Sequence, residues 1–310
     1  REPRPLTRPR LGVSACLVGQ PVRYDGGHKR QADLVAALEG RVEWVPVCPE
    51  VEIGLGVPRE TIQLEAASGG VRLVATGTRR DLTGAMRAWA EQRLNELASE
   101  GLAGYVFKAR SPSCGLGSTP VVGASAPGFG LFAEAFRWRF PQTPAAEEGE
   151  LAEPAGRERF LRRAVARTWL TGLFRPGWTA GDVVDFHSRL KLLLLAQSPE
   201  VYARAGRKVA EAGSADRGTF EDEYARLIDK AAAAEATPGR LANALTHAFG
   251  YFAQEMPPAE RAELAAALDR LAAGDIDGAS ELRRAIREYA ARFGHGYLAE
   301  QALLADDPWR

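Results

Sequence analysis

The residues of this 310-residue chain best suited to soft-metal chemistry are its three cysteines, Cys16, Cys48 and Cys114. Each ends or follows a short β-branched or aromatic run. Cys16 closes LGVSAC (11–16), Cys48 closes RVEWVPVC (41–48), and Cys114 follows AGYVFKA (103–109) within SPSCG. An odd count argues against a disulfide framework. Beside them stand turn-forming residues (Gly19, Pro49, and Gly115 with Gly117) that could aim backbone N–H groups inward. Three thiolates without a CxxC pair suit few roles. A structural zinc needs a fourth ligand, which a histidine would supply. An iron–sulfur cluster on three cysteines leaves one iron without a protein ligand, a Lewis-acid position. The remaining alternative is three small buried apolar side chains.

What could bring them together is an alternation of elements. Those three runs and VRLVATG (71–77) read as strands, separated by helical patterns over 30–38 and 83–99. Such alternation predicts an α/β domain with a Rossmann-like parallel sheet, whose strand ends share the edge where ligands bind. Residues 141–156, rich in Pro, Ala and Glu, read as a linker. Beyond it, 157–310 read as an all-α domain, with Asp182 and Thr237 as N-caps and Pro199, Pro238 and Pro258 in first turns. His187 and His247 are expected at the edge of its core, and His295 at a helix end. The Pro/Arg-rich residues 1–10 read as a mobile leader. No uninterrupted apolar run is longer than Leu192–Ala196, far short of the ~20 residues that cross a bilayer. The chain is therefore expected to be cytoplasmic, with no membrane partner. Lysines plus arginines equal aspartates plus glutamates at 40 each, but residues 157–208 hold 11 basic and 4 acidic side chains, whereas 209–310 hold 11 and 18. A local basic surface attracts polyanions whatever the total.

The segments SACLVGQPVRYDGGHK (14–29), VCPEVEIGLGVPRE (47–60) and FKARSPSCG (107–115) resemble the TudS-like thiouracil desulfidase family over about residues 11–140. FHSRLKLLLLAQSPEVYARAGRKVA (186–210) and LANALTHAFGYF (241–252) resemble the YbgA-like helical domain, and the fusion resembles RudS-type enzymes that desulfurate 4-thiouridine in tRNA. The resemblance implies a [4Fe–4S] cluster on Cys16, Cys48 and Cys114 whose free iron captures the thiocarbonyl sulfur.

Exchange of C=S for C=O is hydrolytic and needs a base for water. Glu50, two residues after Cys48, is the candidate from placement, and the resemblance points to it too; its other reading is a cap on the following turn. The resemblance also makes Ser111 a catalytic hydroxyl. Ser14 and Ser113 are substrate-binding candidates, although turn serines commonly satisfy backbone. Arg23, Tyr24 and Lys29 suit base stacking or oxygen contacts, and Lys108 and Arg110 add charge near Cys114. The helical domain would hold tRNA through Arg162, Arg163, Arg167, Arg189, Lys191, Arg207 and Lys208, the target nucleotide leaving its stack. Free thiouracil or thiolated nucleotides are the alternative substrates, with the helical domain then a cap on the sheet or a homodimer surface. A third reading is a non-catalytic, metal-stabilised or metal-free nucleic-acid-binding protein.

Overall fold

Residues 8–309 are described by a computed structural model; of the leader expected over 1–10, residues 1–7 lie outside the described residues. The chain divides into two units, 1–168 and 169–310. In the first, the elements run β1 (Arg10–Ser14), α1 (Ala32–Leu38), β2 (Glu43–Val47), α2 (Pro49–Glu52), β3 (Ile62–Ala67), β4 (Gly70–Ala75), α3 (Thr83–Ser99), β5 (Gly104–Phe107), β6 (Leu116–Thr119), β7 (Val121–Val122), β8 (Gly128–Phe129), α4 (Leu131–Arg139) and β9 (Ala145–Glu147).

Strands β2, β1, β5 and β9 form one sheet in that order, every neighbouring pair parallel. The α/β expectation therefore holds for the sheet that carries the cysteines. One expected strand belongs elsewhere: 71–77 becomes β4, which pairs antiparallel with β3 in a separate three-stranded sheet. A two-residue connection at Ser68–Gly69 makes that hairpin the shorter route to backbone pairing.

Alternation along β5 sends Tyr105 and Phe107 to one face, where they meet Phe132 and Phe136 of α4 and Leu94 and Leu97 of α3. Close packing of that face depends on Gly12 in β1, where a Cβ would stand 2.2 Å from the Tyr105 ring. On the other face Phe160 closes over Gly104.

The expected linker is corrected by the structure. Residues 145–147 form β9, a 3-10 turn covers Glu148–Leu151, and α5 (Pro154–Leu173) begins at once. The polar composition that suggests a linker belongs to carboxylates in use. Glu147 accepts the Leu116 N–H at 2.6 Å and the Ser118 hydroxyl, and Glu148 accepts the Ala109 N–H at 2.6 Å and pairs with Lys108. The unit boundary falls inside α5, at 168/169.

The second unit is helical throughout: α6 (Ala180–Gln197), α7 (Pro199–Val209), α8 (Arg217–Ala233), α9 (Pro238–Gly250), α10 (Pro258–Ala272), α11 (Ala279–Arg292) and α12 (Gly296–Ala299). Phe220 and Tyr224 of α8, Leu245 of α9, Ile286 of α11 and Phe252 are fully buried in its core. Thr237 caps α9 as expected, but the cap of α6 is Thr179, with Asp182 answering it as the third residue of a capping box. His187 is buried and His247 is exposed; His295 stands at a helix end as expected, at the N-cap position of α12, with its ring bonded to Glu255 and no side-chain cap bond. No helix among the described residues is long and apolar enough to cross a membrane.

Candidate active site

Three strands that are neighbours in one sheet deliver the three cysteines to the same edge. After β1 the chain makes a single 3-10 turn, Ala15–Val18, that ends on Gly19 at φ 99°. The N–H groups of Lys29 and Gly19 return to the Cys16 carbonyl at 3.0 and 3.3 Å, which ties the following loop to this turn. After β2, Cys48 caps α2 with Pro49 in the first turn. Its N–H reaches Glu52 Oε1 at 3.2 Å, and Arg93 of α3 stands 3.5 Å from the other oxygen of Glu52. Past β5, Ser111 Oγ accepts the Cys114 N–H at 3.1 Å, and Phe132 and Ala133 at the start of α4 donate to the Ser113 carbonyl. Gly130 makes that approach feasible, since a Cβ there would lie 2.4 Å from the Ser113 carbonyl carbon.

Cys16, Cys48 and Cys114 line a pocket of about 250 Å³ with Ser14, Arg23, Tyr24, Glu50, Arg59, Lys108, Arg110 and Ser111. Glu50 is held from both sides. One oxygen accepts the Ser113 hydroxyl, and the other lies 3.5 Å from Cys48 Sγ. Burial, then the charge of Glu50, push the Cys16 thiol up to about 11 and the Cys48 thiol up to about 12. Burial, followed by Glu50, also raises the Cys114 thiol well above its ordinary value, against a hydrogen bond from Ser14.

Protonated thiols packed around a carboxylate are what a positive metal centre would reverse, because a coordinating thiol loses its proton outright. A single ion needs its sulfurs at about 2.3 Å, and among the described residues no three His, Cys, Asp or Glu side chains are placed to hold one ion. No histidine lines the pocket, and His28 is exposed. The donor set therefore fits a cluster, which spreads three thiolates over separate irons, better than a closed zinc site.

Other expected site residues separate into distinct groups. Ser14 is buried; its Oγ accepts the Lys108 N–H at 2.9 Å, so it ties β1 to the strand beside it as well as facing Cys114. Ser113, expected at the substrate, is fully buried and holds Glu50 instead. Lys29 is exposed and lies outside the pocket lining. Lys108 lines the pocket with its ammonium already paired to Glu148. Tyr24 is 42% exposed at the pocket, with the Arg23 guanidinium 5.2 Å from its ring centroid.

Of the expected tRNA contacts, Arg162, Arg163 and Arg167 belong to the first unit, and Arg189, Lys191, Arg207 and Lys208 to the second. Lys208 is engaged by Glu211 and Glu223, and Arg189 by Glu300.

Sequence reasoning missed Arg59, whose Nη1 bridges the carbonyls of Val22 and Gly56 at 2.9 and 3.0 Å and so pins the 56–59 turn to the pocket. It also missed Glu147 and Glu148, hidden in an apparent linker. Arg110, noted only for its charge, lines the pocket with φ 61°, a costly conformation for a residue with a Cβ and one that concentrates at functional sites.

Comparison with known proteins adds three findings. A family model described as 2-thiouracil desulfurase matches residues 11–148, and one described as a protein of unknown function (DUF1722) matches residues 191–308. The uncharacterized protein YbgA of Escherichia coli (strain K12) is 31% identical over 142 residues, covering 46% of this chain and 83% of that protein. A solved structure, the [4Fe-4S]-dependent thiouracil desulfidase TudS, is 34% identical, covering 46% of this chain and 93% of the other, with a TM-score of 0.38.

Proposed function

Because the chain joins a domain of the 2-thiouracil desulfurase family to a YbgA-like helical domain, we propose that it removes sulfur from thiolated uracil on a [4Fe–4S] cluster held by Cys16, Cys48 and Cys114. The observation that carries this reading is one pocket lined by three cysteines and a carboxylate held by hydrogen bonding beside them. The iron without a cysteine ligand would supply a thiophilic Lewis acid. All else falls to the protein. Glu50 takes the proton of the attacking water, and the net exchange is C=S plus water to C=O plus hydrogen sulfide, with no electrons transferred. Ser111 Oγ accepts the Cys114 N–H and keeps its own hydrogen for the reacting ring or for Ser113 Oγ, 3.2 Å away. Tyr24 and Arg23 offer a stacking surface at the pocket.

For the substrate we favour 4-thiouridine in tRNA. A pocket of about 250 Å³ lies below the ~300 Å³ at which drug-sized sites begin, so RNA would present one extruded nucleotide. Exposed Arg207 and half-buried Lys191 are cations of the second unit suited to phosphate. Free thiouracil or a thiolated nucleotide is the alternative.

The test is to reconstitute the chain anaerobically, measure iron and sulfide, and follow loss of thiocarbonyl absorbance with thiolated tRNA and with 4-thiouracil. About four irons per chain and turnover of tRNA are expected. Turnover of the free base alone defeats the tRNA reading, and a Cys48→Ser chain that keeps iron and activity defeats the cluster reading.

A further inference from the structure

Val22, Arg23 and Tyr24 line the pocket but belong to no strand or helix, so their place depends on what ties them down. Their own loop supplies short-range bonds, such as Arg23 N–H to the Gly27 carbonyl and Gly26 N–H to the Arg23 carbonyl. The ties that reach them from outside the loop come from two residues. Arg59 N–H donates to the Tyr24 carbonyl at 2.9 Å, and Arg59 Nη1 donates to the Val22 carbonyl at 2.9 Å. The Cys48 thiol faces the same Val22 carbonyl at 3.8 Å. A cysteine that ligates a metal gives up its proton and cannot donate there. Among the described residues Arg59 is then the hydrogen-bonded tie that remains.

The other end of this grip leads to Glu50. Arg59 Nη1 also bonds the Gly56 carbonyl at 3.0 Å. The segment 50–56 is itself well anchored: Leu55 N–H donates to the Glu50 carbonyl at 3.1 Å, and Ile53 and Leu55 pack against the core that holds Leu64 and Leu73. The two loops run close together, since a Cβ on Gly26 would stand 3.9 Å from Val57 Cγ1. A guanidinium suits the task. It stays charged, it carries two hydrogens on one nitrogen for two carbonyls, and charge-assisted bonds are stronger than neutral ones.

We infer that Arg59 is a positioning residue for the proposed reaction, zipping the 22–24 wall to the segment that carries Glu50 so that Tyr24 stacks a thiolated pyrimidine beside the cysteines and the carboxylate. Arg59 acts through Tyr24 and touches no reacting atom. The inference rests on the desulfuration reading, with Tyr24 as its stacking face.

The full-length chain, reconstituted anaerobically, is compared with Arg59→Gln, Tyr24→Ala and the double variant for iron content and for KM and kcat toward 4-thiouracil. Stacking one base on an aromatic ring is worth about 5- to 150-fold in affinity, so KM is expected to rise by that much in Tyr24→Ala and at least about fivefold in Arg59→Gln, with kcat within about twofold and iron unchanged. Because one residue works through the other, the double variant is expected to match Tyr24→Ala within about twofold. Effects that multiply, an unchanged KM in Arg59→Gln, or a loss of iron from it overturn the inference. Hydrogen exchange needs no substrate: the Arg23 and Gly26 amides are expected to exchange at least about tenfold faster in Arg59→Gln than in the parent, and equal protection also overturns it. A parent inert toward both 4-thiouracil and thiolated tRNA defeats the desulfuration reading, while faster exchange in the variant leaves the zip standing.

Discussion

At the scale of single residues the pocket is arranged around Glu50. Its oxygens face the Ser113 hydroxyl and the Cys48 sulfur, so the carboxylate cannot swing away from the cysteines. Glu50→Gln keeps size and hydrogen-bonding capacity and removes the carboxylate proposed as the base. Turnover of 4-thiouracil is expected to fall about 10²–10⁴-fold with iron content unchanged; parallel loss of iron would reassign Glu50 to cluster assembly. The helical unit carries a second residue-scale signature. Burial, aided by the Lys191 charge, lowers His187 from 6.5 to about 4. As pH falls below 6.5 the unfolded chain takes up a proton that the folded chain refuses until about pH 4. Stability from this residue is thus complete above 6.5 and declines by roughly 3 kcal/mol toward pH 4. Chemical denaturation of the parent and of His187→Phe across pH 4.5–7.5 checks this: the parent should lose stability more steeply, and parallel curves would refute it. The cysteines and Glu50 were legible because parallel strands open onto one edge. Ser113 was not, because nothing in SPSCG distinguishes a serine that meets substrate from one that braces a carboxylate two strands away.

At the scale of elements, Cys114 depends on contacts from both sides of its turn. The start of α4 grips the Ser113 carbonyl across Gly130, and the end of β9 clamps the flanking backbone through Glu147 and Glu148. Gly130→Ala would force its methyl to 2.4 Å from the Ser113 carbonyl carbon, and backbone cannot yield as a side-chain tip does. A destabilisation of about 1–3 kcal/mol is expected, together with iron incorporation reduced at least twofold; normal iron uptake would place the turn's rigidity outside the site. Glu148→Ala strips the Ala109 N–H of its acceptor and the Lys108 ammonium of its carboxylate, leaving that ammonium the Ala109 carbonyl at 3.0 Å, with an expected cost of about 1–3 kcal/mol, read by thermal melting. The four expected strands and most helices were visible in hydrophobic spacing. Strands β7, β8 and β9 were not, since two or three residues are too few for a period to register. The pairing of 71–77 was missed for another reason: strand pattern carries no label for the partner, and Ser68–Gly69 decides it by closing a hairpin.

At the scale of the whole chain, the charge pattern that marked 157–208 as one basic stretch spans two units, with the division inside α5. Its composition was legible, but its partition was not, because one continuous helix leaves no boundary signal. The same helix decides where the first unit can be cut. A chain ending at residue 140 loses β9, both carboxylate clamps and Phe160, the ring that covers Gly104. Removing a buried phenylalanine alone costs about 3–5 kcal/mol, against a total stability of about 5–15 kcal/mol for an ordinary domain. The piece 1–140 is therefore expected to lack a cooperative melt and to bind little iron. The piece 1–176, which keeps α5 to its end, is expected to melt cooperatively and to take up iron as the full chain does. Circular dichroism melts and iron analysis on the two pieces distinguish them. A shorter piece that folds and loads equally well would return residues 141–156 to the role of a tether, and with it the claim that β9 and its two glutamates hold the Cys114 turn in place.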